Sequence, residues 1–262
     1  MLYRLIVVCC CLALPAWTAD KPKKSVLKTK YGDLQIFPVD NAWNRDVSRH
    51  KVHPNSANFI KSIGADKPLH PDFGTTWKGA PNGIPFVFFP QDKKPVKVSS
   101  RCAADSLMRG HPIPPDAPIE GGPDSKGDRH VIAVDFHRKK LYELFAAYPQ
   151  KDGSWKAGSG AIFDLTSNKL RPRGWTSADA AGLPVFAGLV RYDEVMEQKE
   201  IRHALRFTVR RSQRGYIPPA THFASRHRDR NLPPMGLRLR LKADYDLSQA
   251  PPAAKVILTA LK

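Results

Sequence analysis

The chain has 262 residues, 42% of them hydrophobic, and 42 Lys plus Arg against 24 Asp plus Glu give a net charge of +18. Such an excess of cations points to an anionic partner, and in an exported protein to acidic polysaccharide, cell-wall polymer or a phospholipid surface before nucleic acid. The four cysteines are Cys9, Cys10, Cys11 and Cys102, so the chain after removal of the leader described next has one thiol and no intrachain disulfide, and burial of apolar surface must hold the fold together.

In chain order, Arg4 and the unbroken apolar run Leu5 to Leu14 read as a secretory leader. The run is too short to span a membrane, which needs about 20 apolar residues. Cleavage is expected near Thr18 or Ala19, giving a leader over 1–19, a secreted or periplasmic protein, no membrane span once the leader is gone, and 41 cations against 24 acids, +17. The lysine-rich stretch "DKPKKSVLKTK" predicts a flexible basic tether over 20–30, and the even composition beyond it predicts a single β-rich domain over 31–262.

Short apolar, β-branched or aromatic runs bounded by turn residues then recur: "DLQIF", "IPFVFF", "VKVSS", "HVIAVDF", "LYELFAAY", "GAIFDL", "LPVFAGLVRY", "ALRFTV" and "LRLRLK". Their period-two alternation predicts strands and a mostly β fold, an antiparallel sandwich or jelly-roll-like arrangement with a few short helices. One helix is predicted in "HPNSANFIKSIG", with Ala57, Ile60 and Ile63 on its apolar face and Gly64 as its stop, and another in "PPAAKVILTALK" at the end of the chain. As strands, "IRHALRFTVRR" and "GLRLRLK" would set Arg202, Arg206 and Arg210 beside Arg238, Arg240 and Lys242 on one cationic face, suited to carboxylate or sulfate groups.

The sequence holds no HExxH, paired CxxC, GxSxG or P-loop string, so neither a metal nor another cofactor is expected. Carboxylates and aromatics remain, the combination used in glycan chemistry, where one carboxyl gives a proton and another is ionised. The carboxylate pool is Asp40, Glu120, Glu143, Asp164 and Asp179. Glu143 falls between Leu141 and Phe145 on what alternation makes a buried face, where an acid needs a partner such as arginine or a task. Asp40 and Asp164 sit at strand ends, where Asx turns also use them, and Asp193 with Glu194 reads as a solvated turn. Trp43, Arg129, His130, Trp175, Arg206, Arg238 and Arg240 are the candidate substrate-binding residues.

In "GWTSADAAGLPVF", Thr176 and Asp179 have the spacing of a capping box, with Gly182 and Pro184 ending the turn. The small residues Ala178, Ala180 and Ala181 predict close approach by another part of the molecule. With "FPVDNAWNRDVS", "GDRHVIAVD", "SGAIFDL", "LVRYDEV" and "PPMGLRLRLKA", this string resembles an uncharacterised group of exported bacterial and fungal proteins over residues 37 to 262. The resemblance implies export and a single domain, brings no activity, and implies a further C-terminal segment in the group beyond the point where this chain stops.

The expected function is therefore an exported carbohydrate-active enzyme, a glycoside hydrolase cleaving an acidic or cell-wall polysaccharide by carboxylate general acid/base chemistry. A uronate lyase, with His130 or Tyr142 as base and Arg129 neutralising the uronate, and a non-catalytic polyanion- or glycan-binding protein are the alternatives.

Overall fold

The computed structural model describes residues 25–77, 79–89, 94–102 and 110–262. The expected leader and residues 20–24 of the expected tether lie outside the described residues. The strands are β1 (Val26–Thr29), β2 (Gly32–Gln35), β3 (Thr76–Trp77), β4 (Ala80–Pro81), β5 (Phe86–Phe88), β6 (Val98–Ser100), β7 (Val131–Asp135), β8 (Lys140–Phe145), β9 (Tyr148–Pro149), β10 (Trp155–Ala157) and β11 (Ser159–Asp164). The α-helices are α1 (Ser56–Ile63) and α2 (Pro252–Ala260), so the fold is β-rich with a few short helices.

A four-stranded sheet in the order β11-β8-β7-β5 forms the centre of the molecule. Alternation along β7 and β8 decides what each face carries. Ile132, Val134 and Leu141 point to one side, where they meet Leu27 and Leu34 of the β1–β2 hairpin and Val185 and Phe186. Val131, Ala133, Tyr142 and Leu144 point to the other, where they meet Val98, Trp155 and Ala157 of the three-stranded sheet β6-β10-β9. Both faces are thus covered, and every residue of β7 is buried.

Two features differ from the expected antiparallel arrangement. The sheets are mixed: β5 runs parallel to β7, and β6 parallel to β10. Parallel neighbours need long crossovers rather than hairpins, and the chain from 89 to 130 and from 101 to 154 supplies them. Second, part of the expected tether is built structure, because Val26–Thr29 pairs antiparallel with β2 and Leu27 enters the core at 3% exposure.

Beyond β11 the expected strands do not form. "LPVFAGLVRY" becomes a short 3-10 turn at Phe186–Gly188, followed by a π-helical turn at Asp193–Gln198. "ALRFTV" makes only single backbone bonds, Ala204 N–H to Trp43 O at 2.7 Å and Arg206 N–H to Gly188 O at 2.9 Å. "LRLRLK" runs as irregular chain held by its arginines. α1 lies where expected and ends at Gly64 with φ 107°, but its buried residue is Phe59, while Ile60 is exposed.

Candidate functional site

Glu120, His130, Glu143, Asp179 and Arg206 converge at one edge of the face that carries Ile132 and Val134. His130 immediately precedes β7, and the reciprocal backbone bond from Glu120 N–H to His130 O, 3.0 Å, lays the Glu120 loop beside it. Glu120 Oε2 then lies 2.7 Å from His130 Nδ1. The other ring nitrogen, Nε2, faces the carbonyl of Ala178 at 3.2 Å. Both partners offer acceptor oxygens, so the doubly protonated ring is the form that satisfies both contacts. Burial would lower its pKa, yet the Glu120 hydrogen bond, the Glu120 charge and the Ala178 carbonyl together raise it. For Glu120, burial pushes upward and the contacts from His130 outweigh it, so the carboxyl stays below its ordinary range.

The 176–182 segment approaches from the opposite side, and its turn is built differently from a capping box. Ser177, fully buried, accepts the Asp179 N–H at 2.9 Å and donates to Leu183 O at 2.6 Å. Asp179 Oδ2 accepts the Ala181 N–H at 2.9 Å, leaving Oδ1 to meet Arg206 Nη2 at 3.3 Å. The 221–222 segment of the same chain approaches this turn: Ala181 O accepts the N–H groups of Thr221 and His222, and Ala180 O lies 2.7 Å from His222 Nδ1. Trp175, half-buried, lies beside Arg171, whose guanidinium is 5.7 Å from the indole ring. Burial lowers the Arg171 pKa to about 10.

Glu143 occupies the buried face that alternation assigned to it. It is fully buried and accepts the N–H groups of Val185 and Phe186 at 2.9 and 2.8 Å. Burial pushes its pKa up to about 7 against the opposing pull of those two bonds. It therefore braces the 185–186 turn and cannot touch a polymer. The reachable members are Glu120, Asp179 and Arg206, with side chains 24, 20 and 27% exposed.

Other expected site residues lie elsewhere. Asp40 accepts a hydrogen bond from Asn168 at 2.9 Å, and Asp164 is paired with Lys140 at 2.6 Å, which holds its pKa down to about 2. Trp43 packs against the core. Arg129 is 3% exposed and grips the carbonyls of Ala147, Pro123 and Ser125, so it clamps a loop and is not placed to neutralise a substrate. Tyr142 points to the opposite face of the sheet from Glu143, buried among Phe89 and His111, and burial raises its pKa. Neither expected lyase base is free, since His130 has both nitrogens engaged.

The cationic platform is also corrected. Arg238 donates to the carbonyls of Ala42 and Arg45, Arg240 to those of Val47 and His50, and Arg202 pairs with Glu200. These guanidinium groups are spent on the protein itself, and Arg206 is paired with Asp179.

The expected solvated turn at 193–194 hides a buried ion cluster. Glu194, 2% exposed, meets Arg191 at 2.7 Å and His203 at 3.1 Å. Arg191 and Glu194 stand three apart in sequence, a spacing that signals the first contact; nothing local signals His203. Among the described residues no group of three or more His, Cys, Asp or Glu is placed to hold a metal ion, and no helix is long and apolar enough to cross a membrane.

No protein-family model matches the chain, and neither a curated protein nor a solved structure matches it.

Proposed function

We propose that this chain is an exported enzyme that cleaves an acidic or cell-wall polysaccharide at the Glu120, His130, Asp179 and Arg206 cluster. The observation that carries the reading is the convergence of two partly open carboxylates on a buried histidine and an arginine. His130 and Glu120 share a proton through their 2.7 Å contact; Glu120, the member that reaches solvent, delivers it to the leaving glycosidic oxygen as the C–O bond breaks, and a water adds to the anomeric carbon and returns its own proton to the pair. Asp179, which meets the Arg206 guanidinium and the Ala181 N–H, faces the positive charge that develops on the sugar ring. Phe207, 48% exposed, directly follows Arg206, and half-buried Trp175 stands four residues before Asp179.

The test is a screen of purified protein against acidic and neutral polysaccharides, reading both new reducing ends and unsaturated products. Cleavage by the wild type should fall at least about a hundredfold in Glu120→Gln and in Asp179→Asn, the scale of a general acid or base contribution, while both variants remain folded. Absence of cleavage across the panel, or full activity in either variant, overturns the assignment. Unsaturated products would convert it to a lyase.

A further inference from the structure

We infer that the hollow between Arg214, His227, Arg228 and Arg230 binds the acid groups of an anionic polysaccharide, through residues other than those of the carboxylate cluster. The hollow has a volume of about 400 Å³ and is lined by these four residues with Gln213. The four cationic-type side chains are exposed, and among the described residues no carboxylate lies within ion-pair distance of Arg214, Arg228 or Arg230. The acid nearest in sequence, Asp229, uses Oδ1 to accept the Asn231 N–H at 2.9 Å. Elsewhere in this protein arginines are consumed by backbone carbonyls, as at Arg129, Arg238 and Arg240. Here they are left facing solvent.

The backbone that carries them is fixed, although it forms almost no regular structure. Gln213 N–H reaches Pro233 O at 3.0 Å, the Gln213 side chain reaches Leu232 O at 2.8 Å, and Gln213 bridges to His227. Arg214 N–H donates to His227 O at 2.5 Å, and Asn55 Nδ2 holds Arg230 O at 2.9 Å. Arginines that line one hollow carry like charges that repel, and a bound anion relieves that repulsion. Guanidinium forks match carboxylate or sulfate with two parallel hydrogen bonds.

An aromatic row beside the hollow favours a polymer of rings over a lone ion. Tyr216, Phe223 and His222 stack in sequence, with centroids 6.3 and 6.0 Å apart and planes within 26° and 18°. The Arg214 guanidinium lies 5.9 Å from the Phe223 ring. Pyranose rings pack on such faces while their acid groups meet the arginines. The apolar leader sequence favours a glycan over a nucleic acid as the polymer met.

Binding is measured by affinity electrophoresis at low salt with polygalacturonate, dextran sulfate, neutral dextran and a single-stranded oligonucleotide as probes. Retention by polygalacturonate assigns the site to carboxylate, retention by dextran sulfate alone to sulfate, and neutral dextran should not retain the protein. The triple variant Arg214→Gln, Arg228→Gln, Arg230→Gln should weaken retention at least tenfold. A triple variant of the exposed Lys151, Lys156 and Lys255 to Gln makes the same charge change and should weaken it less than twofold. Arg228→Lys keeps the charge and loses the fork, and should fall between. Equal losses in the two triple variants, unchanged retention in the arginine variant, or no retention of the wild type overturns the proposal, and tighter binding of the oligonucleotide than of either acidic glycan overturns the choice of polymer. Retention needs no cleavage, so this result stands or falls independently of the Glu120 assignment.

Discussion

Glu120 holds His130 twice with one oxygen: Oε2 accepts the His130 backbone N–H at 3.2 Å and meets its ring Nδ1 at 2.7 Å. Main chain and side chain of the residue that immediately precedes β7 are therefore fixed by a single carboxylate from a loop ten residues earlier.

That arrangement sets a pH window. The His130 pKa is raised above 6.5, so its contribution to stability is complete below about pH 6.5 and is lost as pH rises through the raised value. The Glu120 pKa is lowered below 4.5, so its contribution is complete above about pH 4.5 and is lost as pH falls through the lowered value. Glu120→Gln should cost about 2 kcal/mol near pH 5.5, read as a drop in Tm of roughly 4–8 °C for a chain of this size. Melting at pH 3, 5.5 and 9 should show the gap narrowing at both extremes. A gap independent of pH would show that the pair is not ionic.

Glu143 titrates in the opposite sense. Its folded pKa, about 7, lies above the ordinary 4.5, so between those values the folded state holds the extra proton and stability falls as pH rises. Glu143→Gln removes this dependence. Relative to wild type, the variant should gain about 3 kcal/mol between pH 4.5 and pH 8, at roughly 1.4 kcal/mol per pH unit of displacement. Urea titrations at the two pH values measure the difference, and an unchanged difference would mean that Glu143 is ionised in the fold.

Arg238 and Arg240 tie chain near residue 240 to the 42–50 loop. Replacing either with Ala leaves carbonyls without their donors and should cost about 1–3 kcal/mol, seen as a lower urea midpoint. Retention on acidic polysaccharide should fall by no more than an exposed lysine replacement causes. A selective loss of retention without loss of stability would restore these arginines to a binding face.

Gly182 is fixed by its surroundings. Its φ of +76° is one that residues with a Cβ rarely adopt, and a Cβ there would collide with the Thr221 hydroxyl and lie 2.7 Å from Trp175 O. Gly182→Ala should therefore destabilise by at least about 1–3 kcal/mol, and it should also lower any activity of the Asp179 turn. A variant that melts with the wild type would mean the 221–222 strip can withdraw.

The local pattern of "HVIAVDF", "LYELFAAY" and "GAIFDL" was sufficient to locate β7, β8 and β11, because strands covered on both faces write short apolar, β-branched and aromatic runs, within which alternation sorts the residues to the two faces. The same alternation put Glu143 on a buried face before any partner was known. Within the carboxylate pool it could not separate Glu120 and Asp179, which share a site, from Asp40 and Asp164, which are held by Asn168 and Lys140. Those partners lie 128 and 24 residues away, beyond any local period.

What the sequence by itself determined is the β-rich class, the central strands, the two helices and the buried face of Glu143, all consequences of near-neighbour spacing. Only the tertiary structure decided that "LRLRLK" is not a strand, that its arginines serve the 42–50 loop, that β5 and β6 find parallel partners, and that Glu194 is buried with His203. The physical reason is the same in each case. An alternating pattern states which residues can share a face, but a backbone N–H, a guanidinium or a carboxylate goes to whichever partner the folded chain brings within about 3 Å, and that partner is set by segments distant in sequence.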